Sequence, residues 1–332
     1  MEILSEADVR TCVEAAIRAP SIHNTQPWLF MPLPDGVEVH ADLTRRLPAI
    51  DRQGRAMHIS LGAAVLNIRL ALAELGHRPV VRLRPTPGDD RHVATVISGG
   101  RSAPTDDDLG LFAAIPERRS SRRPFTSTHL LEGAVARLRQ AAALEGAMLC
   151  FTGPAERDAV LNLARTAEAR QRRSPAYRAE LRAWTSDDPY RDDGVPIEAV
   201  GPWSAYSALP IRDFAVDREI PDRTAEVFEP DPRVALLCVM GEDEPAQWLR
   251  SGQALQRVLL EATRLGLSAG MFTQPLEDPG LRGLLATSDG TVNTQVVLRF
   301  GYGPQAPASP RRPADEVIVT SRPSSRRSAH HR

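Results

Sequence analysis

The chain has 332 residues, of which 42% are hydrophobic and 25% are charged, and its formal net charge is −1. This composition is typical of a globular protein long enough for two domain-sized units, and the balanced charge gives no reason to expect nucleic acid or a membrane as a partner. We expect no signal peptide and no bilayer-spanning run, and three widely separated cysteines indicate free thiols in a cytoplasmic protein.

Helical and strand-like patterns alternate through the first part of the chain. Apolar residues at helical spacing after Ser5 predict a first helix, and a long apolar stretch predicts a second. Runs rich in β-branched residues predict three strands. In chain order these elements are a helix at 7–18, a strand at 37–43, a helix at 57–75 and strands at 78–84 and 91–97.

The same pattern returns in the second part of the chain. A strand at 233–241, a helix at 251–266 and a strand at 293–301 follow one another in a similar order. Gly62 and Gly76 have the same spacing as Gly252 and Gly266. Between these glycines, an alanine and two leucines stand at equivalent positions of the two segments. We therefore predict an internal duplication, with two half-repeats fused into a pseudo-dimer.

The predicted fold class is α+β, with antiparallel sheets around central helices. The first half covers residues 1–104 and the second half 105–313, and a link rich in glycine, proline and aspartate lies at 98–108. The stretch from about 165 to 222 has no counterpart in the first half, and we call it the insertion. Residues 314–332 form a C-terminal extension whose end is predicted to be disordered.

Several other chemistries are disfavoured. All 41 basic residues are arginines, which excludes a Schiff-base lysine and a Walker A lysine. The sequence GLSAG around Ser268 matches the G-x-S-x-G nucleophile elbow, but a predicted helix precedes it, and only His330 and His331 follow. The histidines lack metal-binding spacing and no G-x-G-x-x-G follows a strand, so we expect no metal site and no dinucleotide-binding turn.

Three segments carry the candidate chemistry. Residues 19–30 read APSIHNTQPWLF, a turn whose prolines disfavour a helix and which offers neutral hydrogen-bonding side chains. Residues 116–125 read PERRSSRRPF, and a second basic turn, SPRRPADEV, covers 309–317. Arginines and serine hydroxyls suit a phosphate, although a solvated basic loop is the alternative for a single run of this kind. Flavin mononucleotide (FMN) needs both arginines, for its phosphate, and neutral hydrogen-bonding side chains, for its ribityl chain and ring edge.

These segments resemble the signatures of the FMN-dependent nitroreductase family. APSIHNTQPW is similar to its A-P-S-x-x-N-x-Q-P-W loop, and RRSSRRPF is similar to its R-x-S-x-R-x-F motif. GLSAGMFTQPLED resembles its G-L-G…P-x-E-G segment, and FGYGPQAPASPRRPADEV its closing G-Y-p…R-x-P-x-x-E. Ordinary members carry the arginine motif before the loop, whereas here the loop comes first. This order resembles the duplicated, single-chain Acg branch described in mycobacteria.

The resemblance implies one FMN site per chain, formed between the halves, because only the second half carries the arginine motif. The implied cofactor-binding residues are Pro20, Ser21, Ile22, Asn24, Gln26, Arg118, Ser120, Arg122, Gln274, Pro275, Leu276, Arg311 and Arg312. No catalytic side chain is implied, since the flavin carries the chemistry. Asp278 departs from the family pattern, because it stands where P-x-E-G has its glycine.

Two functions remain open from the sequence. One is an NAD(P)H-dependent oxidoreductase that reduces nitroaromatic or quinone-type acceptors by two electrons through FMN. The other is a catalytically weak protein that stores or sequesters FMN while the insertion closes over it as a lid. We expect the aromatic residues of the insertion to stack over the flavin ring, the alternative being a peripheral helix that packs its own aromatics; they are Tyr177, Trp184, Tyr190, Trp203 and Tyr206. A fused pseudo-dimer implies a monomer or a weak homodimer.

Overall fold

The structure is a computed structural model that describes residues 3–205, 209–216, 218–221, 223–287 and 290–321. Its helices pack on two four-stranded antiparallel sheets, which confirms the predicted α+β class. Tyr206, Asp222 and the end of the chain predicted to be disordered (322–332) lie outside the described residues.

The first sheet comes from the first part of the chain. Helix α1 (Glu6–Ala16), capped by Ser5, precedes its strands, and the long helix α2 connects β2 to β3 and packs on the core face of the sheet. The elements are β1 (Trp28–Leu33), β2 (Gly36–Ala41), α2 (Arg55–Glu74), β3 (His77–Leu83) and β4 (His92–Arg101). The strands lie in the order β1-β2-β4-β3.

The middle of the chain is mostly helical. Helices α3 (Asp106–Ala114) and α4 (Glu132–Ala143) lead to strand β5 (Ala147–Phe151), and helices α5 (Pro154–Arg173) and α6 (Pro175–Ala183) follow. Two short parallel pairs follow: β6 (Thr185–Ser186) with β7 (Val195–Pro196), and β8 (Trp203–Ser204) with β9 (Ala225–Glu226), which lies just after the insertion.

The second sheet repeats the order of the first. Its further elements are β10 (Arg233–Met240), α7 (Pro245–Arg264), β11 (Ser268–Met271), the short helices α8 (Gln274–Glu277) and α9 (Pro279–Arg282), β12 (Val292–Gly301) and finally α10 (Ala314–Val317). The order β5-β10-β12-β11 matches β1-β2-β4-β3 when α7 is placed on α2. Equal sheet orders around equivalent helices support the predicted duplication.

Helices α2 and α7 cross in a reciprocal way. A β-carbon on Gly62 would lie 2.1 Å from the carbonyl oxygen of Leu249, and one on Gly252 would lie 2.0 Å from the carbonyl oxygen of Ile59. Leu249 is buried in the first core and Ile59 in the second, so each helix gives a side chain to the other half. This reciprocity is expected when two equivalent helices meet around an approximate two-fold axis.

The first core also takes side chains from beyond residue 104. Leu111 and Ala114 of α3, and Ala314 and Val317 of α10, are buried in it. The boundaries at 104 and 313 therefore remain a prediction, because the two halves share elements rather than form separate units.

Helix α2 is long and apolar enough to cross a membrane by length and composition, with a mean hydropathy of 1.5 over its most apolar window. The expectation that no run is long enough is thus wrong. In the fold, 89% of that window is buried, because α2 lies between the first sheet and α7. Burial of this kind is what a core helix of a globular protein shows.

Candidate functional site

The turn after α1, residues 20–26, has an unusual backbone. His23, Asn24 and Gln26 have φ angles of 50°, 53° and 50°, in the left-handed region that residues other than glycine seldom adopt. The hydroxyl oxygen of Ser21 accepts a hydrogen bond from the backbone N–H of Gln26 at 3.0 Å, which holds the turn closed. Strained backbone concentrates at functional sites.

The arginine segment, residues 118–122, lies along the edge of the second sheet. The backbone N–H of Ser121 donates to the carbonyl oxygen of Ala269 in β11 at 2.7 Å. A β-carbon on Gly270 would lie 2.8 Å from the carbonyl oxygen of Ser121, so glycine is needed for this close approach. The second half thereby holds the arginine segment against strand β11.

A large pocket lies between the turn and the arginine segment. Its empty volume is about 1430 Å³, a figure that includes space open to solvent. The walls come from both halves: the turn and the start of α2 on one side, and the arginine segment, β11 and β12 on the other. Residues 308–311 and part of the insertion complete the walls.

Four arginines surround one end of this pocket: Arg18, Arg118, Arg119 and Arg311. In the part of the chain that the structure describes, none of them pairs with a carboxylate. The Nε and Nη1 atoms of Arg118 and the Nε atom of Arg311 are buried without any hydrogen-bond partner among those residues. Burial, reinforced by the neighbouring arginines, lowers the pKa of Arg118 to about 10 and that of Arg311 to about 9. Such a cluster is costly unless an anion binds to it.

A second group of positively charged side chains, Arg122 and Arg212, lies near the rings of Phe214 and His23. The guanidinium carbon of Arg122 is 4.6 Å from the centre of the Phe214 ring, and the His23 ring meets Phe214 edge-on at a centroid distance of 5.2 Å. Burial, and then the charge of Arg212, lowers the pKa of Arg122 to about 10. Burial, Arg212 and Arg122 hold the pKa of His23 well below 6.5, so this imidazole is neutral at pH 7.

The pocket brings together most of the residues that the family resemblance implied, namely Pro20, Ser21, Ile22, Asn24, Arg118, Ser120, Arg122 and Arg311. Asn24 joins two walls, because its Oδ1 accepts from Arg311 at 2.9 Å and its Nδ2 donates to the carbonyl oxygen of Gly194 in the insertion at 2.8 Å.

The other implied residues lie outside the pocket. Gln26 and Arg312 lie behind the turn, where the backbone N–H of Arg312 donates to Gln26 Oε1 at 2.9 Å. Gln274, Pro275 and Leu276 are buried in α8, and Gln274 Nε2 donates to a carbonyl oxygen of the insertion at 2.9 Å. These residues support the segments around the pocket, and the adjacent Thr273 reaches its wall instead.

The structure adds pocket residues that the sequence did not single out. Arg55 begins α2 and donates to the carbonyl oxygen of Gln295 at 2.7 Å, and Arg299 of β12 pairs with Glu229 at 2.7 Å. These contacts join residues that are far apart in the chain, and no local pattern marks them. The density of arginines in the segment PERRSSRR was the one available signal for Arg119.

The insertion covers the pocket with Val195, Ile211, Arg212 and Phe214. Buried ion pairs fasten it there. Arg212 donates to Glu277 of α8 at 2.5 Å and to the hydroxyl of Tyr177 at 3.1 Å. The insertion is therefore tied to the second half directly beside the pocket.

The aromatic residues that were expected to stack over the ring lie elsewhere. Tyr177 is buried behind the pocket, in the cluster that contains Phe214, and does not line the pocket itself. Trp184 contacts Arg45 and Arg191, Tyr190 is 93% exposed, and Trp203 faces Arg223 at 3.6 Å from its ring centre. The prediction is wrong for these four, because each packs against another group or faces solvent. The insertion places Phe214 at the pocket instead.

The first sheet brings together three groups of the metal-ligand type, Glu38, His40 and His92. The His40 and His92 rings stack with centroids 4.7 Å apart and an angle of 19° between their planes. His40 Nε2 lies 2.9 Å from Glu38 Oε2, and His92 Nε2 lies 2.9 Å from Thr95 Oγ1. Both Nε2 atoms already have hydrogen-bond partners, so we interpret the group as a hydrogen-bonded part of the core.

No protein-family model matches the chain. It is 32% identical over 324 residues to the Mycobacterium tuberculosis protein named "Putative NAD(P)H nitroreductase Rv3131", covering 93% of this chain and 90% of the relative. It is 30% identical over 316 residues to "Putative NAD(P)H nitroreductase acg" from the same species, covering 93% and 95%. The chain therefore belongs to the nitroreductase family, in the Acg-like group that these mycobacterial proteins represent.

Solved structures with a more distant likeness include two nitroreductases with FMN. That from Desulfovibrio desulfuricans has a TM-score of 0.36 and 17% identity, covering 64% of this chain and 97% of the other. That from Bacteroides fragilis has a TM-score of 0.36 and 13% identity, covering 61% and 92%. These values are too low to bear on what the pocket binds.

Proposed function

We propose that the pocket binds FMN and that the protein is an NAD(P)H-dependent flavin oxidoreductase. The main support is at the buried end of the pocket. Arg118 and Arg311 have N–H groups there without hydrogen-bond partners among the described residues. A phosphate supplies both the negative charge and the acceptor oxygens that these guanidinium groups lack. The names of the curated relatives support a nicotinamide as the reductant.

The residues present fit this group. Arg118 and Arg311 would hold the phosphate, and Ser120 adds a hydroxyl beside them. Arg122, stacked on the Phe214 ring at the pocket wall, offers a cation for the ring system. When bound, FMN supplies two-electron chemistry, taking hydride from NAD(P)H and reducing a nitroaromatic or quinone-type acceptor. The protein's part is to bind, to orient and to exclude water, and we assign no side-chain acid or base.

The test is a titration of apoprotein with FMN, followed by the change in flavin fluorescence. We expect one FMN per chain, because only the second half carries the arginine segment. Arg118→Ala should weaken binding by about 10- to 100-fold, since a hydrogen bond to a charged group is worth about 1.5–3 kcal/mol. Arg233→Ala, at an exposed position on β10, is the matched control and should bind normally. Two FMN per chain, or none, would contradict the proposal.

A second candidate function is FMN storage, and the attachment of the insertion favours it. The Arg212–Glu277 pair is buried on both sides, with side-chain exposures of 7% and 2%. A cover fastened in this way would retain FMN and keep a reductant away from it. Stopped-flow mixing of the FMN-loaded protein with NADH or NADPH distinguishes the two functions. Bleaching of the flavin within seconds supports the oxidoreductase, and no bleaching supports storage.

A further inference from the structure

His23 occupies an x position of A-P-S-x-x-N, and the family resemblance assigns it no role. It lines the pocket and is only 6% exposed. Its φ of 50° costs free energy for a residue with a side chain, which a surface turn could avoid with glycine. The fold therefore tolerates strain in order to place this imidazole at the pocket wall.

Both ring nitrogens of His23 are buried, and neither has a hydrogen-bond partner in the part of the chain that the structure describes. A buried polar atom without a partner costs roughly 1–3 kcal/mol. The neighbouring groups do not remove this cost, because Phe214 presents only its ring, and neither Arg122 nor Arg212 makes a hydrogen bond with the imidazole in the described structure. A ligand in the pocket is the remaining source of partners.

The position of His23 separates it from the phosphate end. Its ring meets Phe214, over which Arg122 lies, whereas Arg118 Nη2 donates to the carbonyl oxygen of Arg18 at 3.4 Å. His23 and Arg122 therefore form one group on the pocket wall, and Arg18 and Arg118 belong to the other. If the arginines without partners take the phosphate, His23 lies at the end left for the ring system.

A neutral imidazole suits the ring system of a flavin. It offers one N–H donor and one acceptor nitrogen, and the polar edge of the isoalloxazine offers carbonyl oxygens and an N–H. A protonated histidine could only donate, and it would add a third positive charge beside Arg122 and Arg212.

We infer that His23 binds the flavin ring by hydrogen bonds from its imidazole, and that the strained turn holds it in place. The inference rests on the proposed binding of FMN. It assigns to this histidine a contact that the arginines do not make.

Three variants separate the hydrogen bonds from the backbone strain. His23→Asn keeps a donor and an acceptor, and asparagine tolerates the left-handed backbone. His23→Gly relieves the strain but has no side chain. His23→Phe keeps a ring and has no hydrogen-bonding atom. We expect His23→Asn to bind FMN nearly as the wild type does, and the other two to bind about tenfold more weakly.

The contact with the ring is tested with riboflavin, which lacks the phosphate. His23→Phe should weaken riboflavin and FMN by the same factor, whereas Arg118→Ala should weaken FMN and leave riboflavin nearly unchanged. The midpoint potential of bound FMN should become more negative in His23→Phe, because the electron-rich reduced ring loses a donor. Thermal unfolding of the apoproteins measures any purely structural effect.

The outcomes distinguish the inference from the proposed function. If the wild type binds no FMN, the proposed function fails and the inference fails with it. If the wild type binds FMN, but His23→Phe and His23→Gly bind it equally well with an unchanged potential, His23 makes no ring contact and the proposed function stands. If His23→Phe weakens FMN but not riboflavin, the histidine acts at the phosphate and the inference is overturned. A loss in all three variants that follows their apoprotein stability assigns His23 a structural role and also overturns it.

Discussion

Gly62 and Gly252 face each other where α2 crosses α7. A β-carbon on Gly62 would lie 3.0 Å from the Gly252 Cα atom, and one on Gly252 would lie 2.8 Å from the Gly62 Cα atom. Backbone carbonyl groups lie even closer, so neither helix can accept a methyl group without moving. The two halves of the chain are therefore joined by direct contact between main chains.

Gly62→Ala should destabilise the protein. The methyl group would overlap backbone atoms of α7, and overpacking costs typically 1–3 kcal/mol, which exceeds the roughly 1 kcal/mol that alanine gains in a helix. Urea unfolding measures the effect. The control is Gly133→Ala in α4, where nothing lies within 4 Å and where we expect a gain of about 0.4–1 kcal/mol. Equal effects at the two positions would show that the crossing is not tightly packed.

The purified protein should be a monomer or a weak dimer. The reciprocal contact that would join two subunits is already made within one chain by α2 and α7. Size-exclusion chromatography with light scattering measures the mass directly. An obligate dimer whose subunits exchange the turn at 20–26 would argue against this expectation.

Arg118→Met should change stability in opposite directions with and without FMN. Without FMN the buried charge lacks a counter-ion. Even buried ion pairs can be replaced by apolar residues of similar volume with a gain of about 1–4 kcal/mol, and we expect a gain for an unpaired charge too. With saturating FMN the variant should lose the stabilisation that ligand binding gives the wild type. Urea unfolding at both conditions tests this, with Arg233→Met as the control. A variant that is less stable than the wild type in both conditions would mean that Arg118 serves the fold alone.

Asp213→Asn should loosen the insertion. Asp213 accepts from Arg172 and Arg223 at 2.8 Å each, and neutralising its buried carboxylate leaves the Arg223 guanidinium, 6% exposed, without its counter-ion. We expect FMN to dissociate about tenfold faster, which corresponds to about 1.4 kcal/mol. Asp231→Asn, which removes an exposed pair with Arg157, should release FMN at the wild-type rate. Equal rates in all three proteins would show that the insertion does not control FMN release.

The apoprotein should lose stability as the pH falls below about 6.5. The pKa of His23 lies well below its ordinary value of 6.5 in the fold, since burial and the charges of Arg122 and Arg212 disfavour its protonation. The unfolded chain therefore binds the extra proton, and the free energy of unfolding decreases by up to about 1.4 kcal/mol per pH unit for this group. His58, whose pKa burial also lowers, adds a change of the same sign.

His23→Asn should make the free energy of unfolding of the apoprotein less dependent on pH. The part of the pH dependence that comes from His58 should remain. Unfolding by urea between pH 7 and pH 5, compared between wild type and variant, isolates the contribution of His23. Identical slopes would mean that His23 takes up its proton in the folded state as readily as in the unfolded one.

The sequence predicted the parts of the fold that depend on local pattern. Alternation and helical spacing located β2, α2, β10 and α7, and the match between Gly62 and Gly252 pointed to the helix pair that crosses. The motifs singled out the turn and Arg118 because their polar side chains are concentrated on short segments, and the structure places both segments at one pocket. Phe214 and Arg299 could not be found in this way, because their place in the pocket depends on how distant segments pack.

The same limit explains the errors within the insertion. Its concentration of tryptophan and tyrosine indicated a stacking surface, yet aromatic rings pack equally well on arginine side chains, and Trp184 and Trp203 do so. Composition identifies rings that need a partner, and only the tertiary fold determines which partner each receives.

The two ends of the described chain are held side by side. Arg10 of α1 pairs with Asp315 at 2.7 Å, and the backbone N–H of Val319 donates to the carbonyl oxygen of Phe30 at 2.8 Å. A circular permutant is therefore feasible, with a flexible linker between the ends and a new start in the link around residue 103. In it the arginine segment precedes the turn, which is the order of ordinary nitroreductases. We expect it to fold and bind one FMN, because the pocket depends on the two segments meeting across the α2–α7 crossing and not on which of them is synthesised first.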